Sequence, residues 1–219
     1  MPIFECSRCN TLSYSASRFA SIACDACGGM HFRAFDDVAS FGDVRAEPRR
    51  LTRGDHCCVP YDAPEDAAPL CARIVRDQLA AGSRVMAWPV PDLRDEIAAA
   101  LAPDEDASVE WLDPAGVYGP PFDPEGIVAH FSGLAAQEHR TVVVVGGPGR
   151  PLPEIATVDA FCRFERLVTE RALETGMVVA CLYDRRLHPP AHLACGDETH
   201  TLTIEGGTVR RNERFVFAA

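Results

Sequence analysis

Four consecutive valines, Val142 to Val145, constrain the fold of this 219-residue chain more than any other feature. A strand with one face in water alternates apolar and polar residues, so a strand that is apolar throughout must be covered on both faces. Short apolar, partly β-branched runs recur at Cys57 to Val59, Arg84 to Trp88, Val109 to Leu112 and Met177 to Leu182, and the fourth run extends from Thr141 to Val145. Between them the period is helical. Leu70, Ile74, Val75 and Leu79 lead to Gly82, which suits the position just past a helix end, and Ile127, Val128, Phe131 and Leu134 mark a later helix. Five strands separated by helices predict an α/β fold of three layers around a mainly parallel sheet. After Asp184 the period is lost, and Thr201 to Ile204, Gly206-Gly207 and Thr208 to Arg210 read as a closing hairpin.

The front of the chain is different. Cys6-Ser-Arg-Cys9 and Cys24-Asp-Ala-Cys27-Gly-Gly are two pairs in which two residues separate the thiols, the spacing that lets each pair grip one tetrahedral ion. Cys6, Cys9, Cys24 and Cys27 are therefore expected to hold one structural Zn2+, closed to substrate because all four positions are filled. So short a segment cannot bury enough apolar surface to fold alone, and the metal would supply the free energy. Residues 1–35 are expected to form this ribbon, 36–53 a linker with few apolar residues, and 54–219 the α/β domain. Arg8, Arg18 and Arg33 are nearly balanced by Glu5 and Asp25, so the ribbon has no basic face for nucleic acid.

Every one of the 21 basic residues is arginine. A phosphate-binding loop with its lysine, and Schiff-base or pyridoxal-phosphate chemistry, are excluded on that ground. The net charge of −11 speaks against broad binding to nucleic acid or anionic membranes. No apolar run reaches the roughly 20 residues that span a bilayer, and the N-terminus lacks the basic and apolar regions of a secretory signal. A cytoplasmic protein is expected. Ten cysteines in a reducing compartment then mean metal ligands and buried free thiols, Cys162 and Cys181 among the latter.

Ligands of open parallel sheets bind beyond the C-terminal strand ends, which selects His56 and Tyr61 around the first strand, Tyr118 in the loop after the third, and Tyr183 and Asp184 closing the fifth. Glu165 is selected by projection instead. Val158, Phe161, Phe164, Val168 and Ala172 form one stripe at helical spacing, and Glu165 falls inside it, opposite Arg163, Arg166, Glu170 and Glu174. A carboxyl group turned to the core needs a partner or a ligand. His188, His192 and His200 follow the fifth strand and could complete a polar cluster with Asp184. No GxSxG elbow, HExxH helix or GxGxxG turn is present, and Gly146-Gly147-Pro148-Gly149 contains a proline that removes a donor from a phosphate nest.

In order, Gly54-Asp-His-Cys-Cys-Val-Pro-Tyr61, Leu79-Ala-Ala-Gly82, Val117-Tyr-Gly-Pro-Pro-Phe-Asp123, Phe164-Glu165 and Cys181-Leu-Tyr-Asp184 resemble the MEDS domain, a methanogen and methylotroph sensory domain. The resemblance runs from about Arg53 to Phe215. It implies a RecA-like core without a phosphate-binding loop, which senses small molecules such as hydrocarbon derivatives and carries His56, Tyr61, Glu165, Tyr183, Asp184 and His200 as its polar residues. Relatives are joined to a histidine kinase, an anti-sigma-type ATPase or a DNA-binding regulator, and none of these follows from this sequence. The expectation is a bacterial sensory module acting through a protein partner. Two alternatives stay open: an enzyme using Glu165, Asp184 and His56, and a degenerate nucleotide-binding domain.

Overall fold

The structure is a computed structural model that describes residues 3–6, 12–14, 32–35, 50–138, 140–205, 208–212 and 215. The chain divides into two compact units, Met1–Thr52 and Arg53–Ala219. In the first, strands β1 (Ile3–Cys6), β2 (Leu12–Tyr14) and β3 (Phe32–Phe35) form an antiparallel sheet in the order β2-β1-β3. Cys6 ends β1 opposite Phe32. Cys9, Cys24 and Cys27 lie outside the described residues, as does the part from 36 to 49 of the linker expected over 36–53.

The second unit is built on seven strands: β4 (His56–Tyr61), β5 (Arg84–Trp88), β6 (Val109–Trp111), β7 (Val142–Gly146), β8 (Val178–Asp184), β9 (Leu202–Glu205) and β10 (Thr208–Arg211). They lie in the order β10-β9-β4-β8-β7-β5-β6. Every neighbouring pair is parallel except β9 with β10, the closing hairpin. The valine run is the middle of this sheet, and all five residues of β7 are buried.

Helices α1 (Pro64–Ala80) and α2 (Pro91–Ala100) are followed by the short α3 (Pro103–Asp106) and α4 (Pro114–Val117), then α5 (Pro124–Gln137), α6 (Val158–Thr175) and α7 (Pro190–Thr199). Past α1, Gly82 takes a left-handed φ of 76°, which costs little only without a Cβ. Helix α1 packs on β4 and β5. On the other face α5, α6 and α7 join one core with Cys58, Trp88, Val144, Val179 and Tyr183. Helix α6 starts at Thr157, whose hydroxyl accepts from the Ala160 N–H, and it buries Phe161, Phe164, Val168 and Ala172. Burial of a phenylalanine or valine side chain is worth roughly 1.5–3 kcal/mol, so this stripe fixes which side of α6 meets the sheet.

Two features depart from the sequence reading. The segment after Asp184, taken as irregular, contains α7, and the residues it buries are His192, Cys195, Gly196 and Thr199. No apolar stripe announces such a helix. Cys162 and Cys195, the first expected as a free thiol, meet as a disulfide that joins α6 to α7, with Cα atoms 5.5 Å apart. Cys57, Cys58, Cys71 and Cys181 are free and buried.

Candidate functional site

Strand parity decides which polar residues can meet. In β4, His56, Cys58 and Pro60 share one face, and register pairs them with Val179, Cys181 and Tyr183 of β8. Glu165 lies over this face, one turn before Thr169 on the buried side of α6. Tyr61 and Asp184 have the opposite parity and point to the α1 face. A single pocket combining them with Glu165 does not form, because the sheet stands between. Asp184 is engaged there instead, accepting two hydrogen bonds from the Arg186 guanidinium at 2.9 and 2.7 Å and one from its backbone N–H. Burial raises the Asp184 carboxyl and the Arg186 bonds lower it, and the bonds prevail, so its pKa lies below the usual range. Tyr61 titrates above its usual range, first through burial and then through the Asp184 charge.

On the α6 face four side chains from four segments converge. His56 begins β4, Cys181 lies inside β8, Glu165 comes from α6 and His200 follows α7. His56 and His200 are wholly buried, and Glu165 is 2% exposed. His56 Nε2 lies 3.3 Å and His200 Nε2 3.5 Å from the same Glu165 oxygen, Oε2. The Cys181 sulfur is 3.2 Å from His56 Nε2 and 3.8 Å from Oε2.

The partners of the other ring nitrogens fix the tautomers. The single hydrogen of the Thr169 hydroxyl goes to the carbonyl of Thr199, at 2.7 Å, or of Glu165, at 3.1 Å. The 2.7 Å contact between His56 Nδ1 and that hydroxyl is therefore an N–H donating to oxygen. His200 Nδ1 donates to the Gly196 carbonyl at 2.8 Å. Each Nε2 thus carries a lone pair, and both lone pairs face Glu165. Burial pushes both imidazoles down to about 3, which leaves the rings uncharged near neutral pH, and burial also pushes the Glu165 carboxyl above its ordinary range. His200 Nε2 still has no hydrogen-bond partner.

Tyr183 belongs to this face, its ring 5.6 Å from that of His200. Its hydroxyl is beside Glu165 but outside hydrogen-bond geometry. Tyr118, expected on a mobile loop above the site, is 5% exposed and packed edge-on to Phe164, because its ring completes the core that α4 and α5 close. His188 packs against the edge of Tyr183, and burial pushes it down to about 4. His192 approaches the Ala156 carbonyl at 3.4 Å, away from the cluster. Cys181, read as an inert core thiol, and Thr169 were missed. Thr169 had a visible signal, since it stands four residues after Glu165 and so on the same helix face.

Beside the cluster is a cavity of about 30 Å³, lined by Trp88, Tyr118, Phe131, Phe164, Met177 and Cys181 among others. One water needs roughly 10–15 Å³, so the space suits a molecule of a few heavy atoms. Gly146 makes room for its lid: a Cβ there would come within 2.2 Å of the Trp88 indole. An open groove of about 630 Å³ runs outside it between Leu112 and Phe131. Ile127 and Phe131 line both spaces and form the wall between them.

The model of the MEDS family, the methanogen/methylotroph and DcmR sensory domain, matches residues 55–201. The chain belongs to this family. The MEDS match contains all four cluster residues and both α5 and α6. No curated protein matches the chain. Among solved structures, the crystal structure of the RadB recombinase aligns with a TM-score of 0.47 at 10% identity, over 70% of this chain and 74% of that one. No helix among the described residues is long and apolar enough to cross a membrane.

Proposed function

We propose that the second unit is a sensory module that admits a small, weakly polar molecule to the cavity beside Cys181 and reports its presence to a regulatory protein partner. The observation that carries this reading is an apolar cavity whose polar edge is the thiol of Cys181, and through it the His56, Glu165 and His200 cluster, in a chain of a sensory family. Entry is from the groove, past Ile127 and Phe131. Occupation would press on Phe164 and Val168, one turn or less from Glu165 on α6, so a change in the cavity reaches the helix that carries Glu165.

The same reading takes the core as RecA-like without a phosphate loop and the protein as cytoplasmic. Only Asp62 and Ala63 connect β4 to α1, and the first turn of α1 carries Pro64, Glu65 and Asp66. Neither glycine nor lysine is present there, and two carboxylates oppose an incoming phosphate. We also assign one structural Zn2+ to Cys6, Cys9, Cys24 and Cys27, on their spacing.

Thermal-shift measurements against short alcohols, aldehydes and halocarbons, with ATP and GTP alongside, test the reading. Saturable stabilisation by a member of the first group, and none by nucleotides, is expected. Stabilisation by ATP alone would replace this function with nucleotide binding.

A further inference from the structure

We propose that His56, Glu165, Cys181 and His200 form a second metal site, one that takes a divalent transition ion of the zinc class through two imidazole nitrogens, a carboxylate oxygen and a thiolate. Their four ligand atoms all lie within 4.8 Å of one another. Zinc bonds of about 2.0–2.1 Å to nitrogen or oxygen and about 2.3 Å to sulfur place tetrahedral donors roughly 3.3–3.6 Å apart. Four of the six separations here are 3.2, 3.3, 3.5 and 3.8 Å, and the remaining two are no longer than 4.8 Å. The cluster is within a small contraction of a coordination shell.

The outer contacts fit as well. Metal-bound histidines donate their other ring N–H to an oxygen that fixes the ring, and here His56 donates to the Thr169 hydroxyl and His200 to the Gly196 carbonyl. Both Nε2 lone pairs converge on one point, and the fully buried His200 Nε2 has no other partner. A core histidine kept for packing would be expected to pair both nitrogens. Mixed nitrogen, sulfur and single-carboxylate donors exclude calcium and magnesium, which take oxygen shells.

Four protein ligands would leave no open position, so the ion would tie β4, β8, α6 and the end of α7 together rather than activate water. Because Cys181 also lines the cavity, a molecule held there would touch the metal-bound sulfur. The inference rests on the donor geometry alone and stands whatever fills the cavity.

The test uses the full chain with Cys6→Ser and Cys24→Ser, so that any ion at the ribbon is lost, and it adds Zn2+ or Co2+ alone. One equivalent per chain is expected, and the cobalt form should show tetrahedral visible bands with a thiolate charge-transfer band. Adding Cys181→Ser should abolish the thiolate band, and Thr169→Val, which frees the His56 ring, should weaken binding by roughly 10–100-fold. A folded Cys6→Ser/Cys24→Ser protein that binds neither ion overturns the proposal. So does a thiolate band that survives Cys181→Ser. Metal binding with no ligand response would sink the sensory reading and leave this one standing.

Discussion

Glu165→Ala is expected to destabilise the second unit by about 3–5 kcal/mol in the presence of a chelator, while Glu165→Gln stays within about 1 kcal/mol of the parent. The difference follows from two lone pairs. His56 Nε2 and His200 Nε2 both face the carboxyl oxygen from 3.3 and 3.5 Å. Alanine leaves a void beside them and takes the carboxyl from His56 Nε2, at a cost of about 1–3 kcal/mol for that one group in addition to the lost packing, since His200 Nε2 has no hydrogen-bond partner even in the parent. Glutamine keeps the volume, and its amide N–H can donate to an imidazole lone pair. A neutral amide is a poor ligand for a transition ion, so the same Gln variant should lose the inner metal. Urea titrations with and without chelator separate the two effects: a lower midpoint at constant slope reads the stability loss. If alanine and glutamine cost the same, the carboxyl is not engaged with the imidazoles in the way the distances indicate.

The second large effect is expected at the wall between groove and cavity. Phe131→Ala should cost about 3–5 kcal/mol, the usual range for removing a buried phenylalanine. Its ring stacks on Trp88 with centroids 4.8 Å apart and is 6% exposed. The variant should also merge the two spaces it separates, so the size of ligand accepted should rise. Thermal shifts across a series of linear alcohols measure this directly. The parent is expected to respond only to the shortest members, and the variant to respond to longer ones. An unchanged cut-off would mean that the ligand does not reach the cavity past Phe131.

Much of the fold was legible because parallel sheets buried on both faces advertise themselves. The four valines needed cover, and the glycine after α1 and the inward Glu165 followed from helical period alone. Helix α7 was hidden for the converse reason: His192, Cys195, Gly196 and Thr199 fill its buried positions, and polar or small residues leave no hydrophobic pattern. The site was legible in its residues more than in its arrangement. His56 and Tyr61 are five residues apart in one strand and Tyr183 and Asp184 are neighbours, so an extended backbone sends the members of each pair to opposite faces. The strand-end rule grouped them by height along the sheet and ignored this parity. It also misplaced His56, which opens its strand and does not close it. Nothing local in Cys181 distinguished it from any other thiol in an apolar strand, because only the packing of α6 over the sheet brings Glu165 to its sulfur.

The central claim is that a small molecule binds in the cavity bounded by Trp88, Met177 and Cys181. Met177 is 2% exposed and lines that space, whereas Met86 is buried in the same core and does not line it. Labelling the methionine methyls with carbon-13 and titrating with dichloromethane, ethanol and dissolved xenon reads the two positions separately. The account predicts a saturable shift of the Met177 methyl with at least one of the three probes and a much smaller change at Met86. A Met177 signal that none of them moves would contradict it.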